Sequence, residues 1–158
     1  MDALIAVHFV ELTAPDPDAE LLLAAHVALM RAQSPEESCH VMTSADLWAS
    51  GARVFLGRTT AQDPVAIGAF KPMGQNAAEL KSMHCRQDHR GQGLGRLLLA
   101  HLIAQARTAG IKTLWLETGA ETDFAPARAL YASAGFVSCP PFGDYAPDPL
   151  SVFMTRPV

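Results

Sequence analysis

The sequence predicts an α+β fold, layered α/β/α, built on one mixed, mostly antiparallel sheet. Three observations predict it. Short alternating apolar runs open the chain and recur three times in succession across its middle. A glycine-rich loop, Arg90-Gly91-Gln92-Gly93-Leu94-Gly95, joins a strand directly to a Leu-rich helix. Strand, helix, strand and helix then alternate to the C-terminal third.

Taken in order, Leu4 to Val10 reads as a strand, with Ile5, Val7 and Phe9 alternating with Ala6, His8 and Val10. Pro15 to Asp18 reads as a turn that starts a Leu- and Ala-rich helix from Asp18 to Ala32, ended by Ser34-Pro35. A short helix from Ser44 to Ala49 has Ser44 as its expected cap. Arg53–Arg58, Pro64–Phe70 and Ala77–Cys85 read as three strands, the last two separated by a turn at Pro72–Asn76. The helix after the glycine loop runs to Ala109, with Arg107 in its last turn and Gly110 as terminator. Its Leu94, Leu98 and Leu102 recur at helical spacing, the pattern of a core face. Ile111–Thr118 is a strand, and Phe124–Ala134 a helix with Asp123 as cap, Pro126 in its first turn and Gly135 as its end. Phe136–Cys139 and Leu150–Thr155 close the chain as strands, giving the order β-α-α-β-β-β-α-β-α-β-β.

Composition narrows the function classes. The chain has 158 residues, 49% hydrophobic and 18% charged, which suits a single domain spanning residues 1–158 with a real core. The net charge is −4 with no Lys/Arg run, which gives nucleic-acid binding no electrostatic support. Neither a signal peptide nor an apolar stretch of membrane-spanning length is legible. Cys39, Cys85 and Cys139 are odd in number and lack metal-ligand spacing. The expectation is a cytoplasmic protein with reduced thiols, no metal, and neither nucleic acid nor membrane as partner.

The glycine loop carries the first chemical signal. Alternate glycines let a ligand approach the backbone, and the first-turn amides of the following helix point outward into a positive dipole end. Phosphate is the natural guest there. Arg90 and Arg96 sit at that end, where cations are otherwise unfavourable, and a polyphosphate would account for them. The loop is not a Walker A motif, since no Gly-Lys-Ser/Thr follows, and its glycine spacing is not that of a dinucleotide fingerprint.

Arg90-Gly91-Gln92-Gly93-Leu94-Gly95 resembles the acetyl-CoA motif of the GNAT acetyltransferase superfamily, Gln/Arg-x-x-Gly-x-Gly/Ala. Leu130-Tyr131 followed by Gly135-Phe136 resembles the family's C-terminal signature, and with the element order the resemblance spans essentially the whole chain. Ala78 to Met83, Leu116 to Gly119 and Phe142-Gly143-x-Tyr145 look like a bacterial branch of small, single-domain members. One position departs: Phe124 stands seven residues before Tyr131, where many relatives carry an asparagine.

The resemblance implies a GNAT-like sheet with splayed central strands and direct acetyl transfer from acetyl-CoA to an amine in a ternary complex. The pyrophosphate would rest on the amides of Gly91 through Arg96, beside Arg90. The pantetheine would lie along Met83-His84-Cys85, and a backbone N–H near Met83 or His84 would polarise the thioester carbonyl. The leaving thiolate needs a proton, since a thiol titrates near ~8.5, and Tyr131 is the matching donor, although its ring is also suited to packing on the sheet. The acceptor, an alkylammonium of pKa ~10.4, must lose one. Glu79 is the expected base, eleven residues before Arg90 as in some histone-acetylating relatives, with a salt bridge to Lys81 or a substrate-ammonium contact as equal alternatives. Simple alternation puts Glu79, Lys81, Met83 and Cys85 on one face and His84 on the other. Glu117 on the next strand is a second candidate.

The loop Ser34–His40 lies where family members shape the acceptor pocket. Glu36 and Glu37 would suit a cation, Ser38 and His40 a polar or carboxylate group, and a plain surface loop is the alternative. Phe142 and Tyr145 in the Pro-rich 140–149 segment either wall the pocket or pack a hairpin or dimer interface. A small primary amine is the expected acceptor, and family habit implies a homodimer. A protein or peptide N-acetyltransferase, or an acetyl-CoA sensor without catalysis, are the alternative readings.

Overall fold

The computed structural model describes residues 5–89 and 91–158. The elements are β1 (Val7–Leu12), α1 (Pro17–Gln33), α2 (Ser44–Ala49), β2 (Arg53–Thr59), β3 (Pro64–Gly74), β4 (Ala77–Cys85), α3 (Leu94–Thr108), β5 (Thr113–Gly119), α4 (Ala125–Ser133), β6 (Val137–Cys139) and β7 (Ser151–Pro157). They follow the expected order. The strands form one sheet, β1-β2-β3-β4-β5-β7-β6, antiparallel throughout except where β4 meets β5.

Alternation along β2 divides the core in two. Val54 and Leu56 face α1 and α2 and pack with Leu22, Leu23 and Leu47. Phe55 faces the other way, onto the α3 cluster of Leu94, Leu98, Leu99 and Leu102. Leu98 and Leu102 are fully buried, each worth about 1.5–3 kcal/mol by area. Gly68 lets α3 approach that closely, since a Cβ there would stand 2.9 Å from Leu102 Cδ1.

Several boundaries differ from expectation for local reasons. Asp16 caps α1, its carboxylate accepting from the N–H groups of Asp18 (2.9 Å) and Ala19 (3.1 Å). Thr43, not Ser44, caps α2 through the Asp46 N–H at 3.2 Å, while Ser44 Oγ donates to Glu20 Oε1 at 2.7 Å. Asp123 does not cap α4: a 3-10 turn at Thr122–Phe124 feeds the helix, and no side chain caps it. β1 begins at Val7 and ends at Leu12, and Leu4 lies outside the described residues. β3 runs past Phe70 through Pro72 to Gly74. The proline is tolerated because β2 stops pairing at Phe70, which leaves that part of β3 at a sheet edge.

Candidate active site

The site begins where two parallel strands part. The β4–β5 ladder covers Ala77–Glu79 against Thr113–Trp115. Beyond it β5 stays paired with β7 as far as Gly119 opposite Ser151. β4 stays with β3 but bulges: Ile67 pairs with His84 and Ala69 with Lys81, so three steps on β4 match two on β3. Ser82, with φ 57, lies inside that bulge.

The bulge overturns the alternation expected for β4. Glu79 and Lys81 share a face, their charged groups 3.5 Å apart. His84 falls on this same face, its ring edge-to-face with His26 of α1 at 5.4 Å. Met83 and Cys85 instead turn to the α3 side, with Ala78 and Leu80. An extra residue in the strand exchanges the faces of everything after it.

The parted strands open a slot through the sheet. Leu80 to Met83 of β4 and Leu116 to Gly119 of β5 line its sides. His26 and Met30 of α1, with loop residues including Ser38, His40 and Met42, close one end; Phe124, Ala127 and Tyr131 close the other. Slots at the carboxyl ends of parallel strands are usual ligand positions.

Glu117 and Tyr131 both line this slot. Burial pushes the Glu117 carboxyl up to about 7, with the negative charges of Glu79 and Asp148 adding to the rise; the Ser151 hydroxyl, donating to Oε1 at 3.1 Å, and Lys81 oppose it. Burial likewise pushes the Tyr131 phenol up to about 12, with Cys85 and Glu117 contributing. Near neutral pH Tyr131 is therefore a proton donor, and Glu117 is poised between its two forms. The Tyr131 ring also packs edge-to-face on Phe136 at 6.1 Å, in keeping with the packing reading of it.

Glu79 occupies a different place. It is 4% exposed and does not line the slot; Tyr145 OH donates to its Oε2 at 2.6 Å and Lys81 is its ion partner. Tyr145 is engaged in that network, its phenol raised by burial and by Glu79. Phe142 packs among Trp115 (5.2 Å), Phe153 (5.8 Å) and Tyr145 (5.2 Å), so it braces the hairpin. Glu36 and Glu37 are exposed, outside the slot. Ser38 and His40 do line it. Ser38 Oγ donates to Asp148 Oδ2 at 2.6 Å, and His40 meets the Tyr145 ring at 5.2 Å, so two loops are tied together at the acceptor end.

The glycine loop leads into α3 beside the slot. Gly93 is the helix N-cap, in the left-handed region at φ 79, a conformation that favours glycine. Its carbonyl accepts from Leu97 N–H at 3.1 Å. A Cβ on Gly95 would stand 3.2 Å from Leu130 Cδ2, so this glycine lets α3 start against α4. The first turn of α3 carries no acidic side chain, leaving its outward amides unopposed for an anion. Arg90 lies outside the described residues.

Slot-lining residues that sequence reasoning did not single out as site candidates include His26, Ser82 and Thr118, while Phe124 enters the lining at the position where the sequence departs from its relatives. His26 had a signal: it follows Ala19, Leu22 and Leu23 along the buried stripe of α1, one imidazole on an apolar face. Phe124 packs on Gly119, where a Cβ would stand 2.1 Å from its ring. Among the described residues no cluster of three or more potential ligands could hold a metal, and no helix is long and apolar enough to cross a membrane.

Comparisons with known proteins agree with this geometry. The model of the acetyltransferase (GNAT) family matches residues 22–136. The N-acetyltransferase YsnE of Bacillus subtilis is 38% identical over 136 residues, 85% of this chain and 89% of that protein. The IAA acetyltransferase of Azospirillum brasilense is 37% identical over 125 residues, 78% of this chain and 80% of that protein. A Klebsiella pneumoniae structure assigned as an acyl-CoA N-acyltransferase superposes with TM-score 0.78 at 31% identity, covering 96% of this chain and 97% of that one. Strand order, parted central strands, glycine loop and C-terminal tyrosine thus converge with the family match, and the chain belongs to the GNAT acetyltransferases.

Proposed function

We propose that this chain transfers the acetyl group of acetyl-CoA directly to the primary amine of a small molecule, with Glu117 as base and Tyr131 as acid. Acetyl-CoA supplies an activated acetyl thioester. The residues present fit it: Gly91 and the first turn of α3 offer backbone amides with no opposing acid, and the α4 end of the slot offers Met83 and Tyr131. Glu117 takes a proton from the acceptor ammonium, so that nitrogen can form the C–N bond. As the C–S bond breaks, its electron pair stays on sulfur and takes the Tyr131 phenol proton, while the second proton of the acylated nitrogen passes to the Tyr131 oxygen, leaving a neutral amide, a thiol and one proton on Glu117. Glu79 holds Lys81 and Tyr145 in place.

The observation that carries this reading is the shared slot: a carboxyl titrating near neutrality and a protonated phenol line one cavity, reached from opposite faces of the sheet. The tie between Ser38 and Asp148 narrows the acceptor end and favours a small acceptor over a polypeptide. The test is calorimetric titration with acetyl-CoA beside an amine screen that follows CoA release. Binding with amine-dependent release supports the proposal. Binding without release for any amine favours a sensor, and absence of binding overturns the glycine-loop assignment.

A further inference from the structure

We infer that the acceptor carries a carboxylate as well as its amine, and that Lys81, His26 and Ser82 receive that carboxylate at the α1 side of the slot. The inference rests on the amine-transfer reading above and narrows its substrate class.

Two side chains lining the slot have polar atoms without a partner among the described residues. His26 is 9% exposed and Ser82 is 8% exposed, and both His26 Nδ1 and Ser82 Oγ lack a hydrogen bond. A buried polar group left unpaired costs about 1–3 kcal/mol; of five such atoms among the described residues, those of Trp48, His89 and His101 belong to residues outside the slot, while His26 and Ser82 both line it, where one ligand group could pair with both.

Lys81 gives the guest its sign. Its side chain is 11% exposed and lines the same wall. The ammonium is held by the His40 carbonyl (3.3 Å), Tyr145 OH (3.1 Å) and Glu79 Oε2 (3.5 Å). Its counter-charge Glu79 does not line the slot, so of this ion pair Lys81 alone contributes to the lining. The other acid nearby, Asp148, is engaged by Ser38 Oγ and the Leu150 N–H. Burial, reinforced by His84 and Lys81, keeps His26 uncharged down to about pH 4. One fixed cation with two neutral hydrogen-bonding groups matches a monoanion such as a carboxylate better than a phosphate dianion.

Glu117, facing the same slot, suits the ammonium of the same ligand. Met30, Met42 and Leu116 line the space with apolar surface. The chemistry described is an amino acid with an apolar body, or a short ω-amino acid.

The experiment uses the full chain with acetyl-CoA and matched acceptors: β-alanine, γ-aminobutyrate, δ-aminovalerate and L-leucine, each against its primary amide. CoA release gives kcat and KM, and calorimetry in the presence of CoA gives acceptor binding. The expected result is that at least one acid exceeds its amide by about tenfold or more in kcat/KM, chiefly through KM. Ser82→Ala and Lys81→Met should each lower that ratio toward one. Ser82→Ala keeps the Lys81–Glu79 pair, so it reports even where Lys81→Met fails to fold. Amides used as well as acids would overturn the carboxylate while leaving amine acetylation standing. Acetyl-CoA bound, with every acid and amide neither bound nor acetylated, would overturn both.

Discussion

Replacing Glu117 by Gln separates chemistry from stability. The wild-type carboxyl titrates at about 7 against an ordinary 4.5. A gap of about 2.5 units corresponds to at most about 3 kcal/mol between the two protonation states. The sign follows from proton binding: between pH 4.5 and 7 the folded chain holds more protons at this site than the unfolded chain. Stability is therefore greatest below pH 4.5 and falls as pH rises through 7. Glutamine does not titrate, and it retains an oxygen to accept from Ser151. At pH 8 the variant should be more stable than wild type by up to about 3 kcal/mol, and at pH 4.5 nearly equal. Catalysis should move the other way. A positioned base contributes about 10²–10⁴-fold, so kcat should fall by that order and lose its rise through pH 7. Chemical denaturation at two pH values and a kcat–pH profile with the best amine provide the assays. A variant that keeps the rise in kcat near pH 7, or that is destabilised at pH 8 as much as at pH 5, would refute the assignment.

Tyr131→Phe should lower kcat by about tenfold to a thousandfold while acetyl-CoA affinity, read by calorimetry, changes little, because on the proposed reading only the hydroxyl serves the leaving group and the ring still packs. His26, held neutral to about pH 4, should cost stability as pH falls from 6.5 toward 4, since the unfolded imidazole binds the proton first. In the Glu117→Gln background, where the opposing carboxyl titration is absent, urea midpoints across that window should fall by the equivalent of up to about 3 kcal/mol, and adding His26→Leu should remove most of the step, with burial of His101 acting in the same direction. Gly119→Ala, whose Cβ would meet the Phe124 ring at 2.1 Å, should destabilise by about 1–3 kcal/mol, and shortening the ring with Phe124→Leu in the same chain should recover part of the loss. Ser38→Ala, which unties the loop from Asp148, should raise the amine KM with little change in acetyl-CoA affinity.

The sequence carried most of the fold because its signals were local and mutually consistent. Leu94, Leu98 and Leu102 at helical spacing, the glycines before them and Gly135 after α4 each announce one element, and the structure places each as read. Caps were harder, because Thr43 and Ser44 are both good cap residues and only the exact chain path selects between them. In the candidate site, the glycine turn and helix start were legible, and the path of β4 was not. Ser82 at φ 57 carries no sequence signal, as serine is not a residue that marks the left-handed region. Missing that bulge misplaces Met83, His84 and Cys85 relative to Glu79. The raised pKa of Glu117 is equally illegible, because it comes from burial and from the charges of Glu79 and Asp148, groups distant in sequence.

The parted strands also divide labour between two kinds of recognition. On the α3–α4 side the slot is approached by a glycine turn and the first amides of a helix, N–H groups that every residue type but proline carries in its main chain. On the α1 side it is walled by Met30, His40, Met42 and Lys81, groups that a single codon change can replace. Mutation can therefore retune what enters from the α1 side while the α3–α4 side stays as it is. On the proposed reading, a chain of this architecture could change its amine partner without giving up its donor.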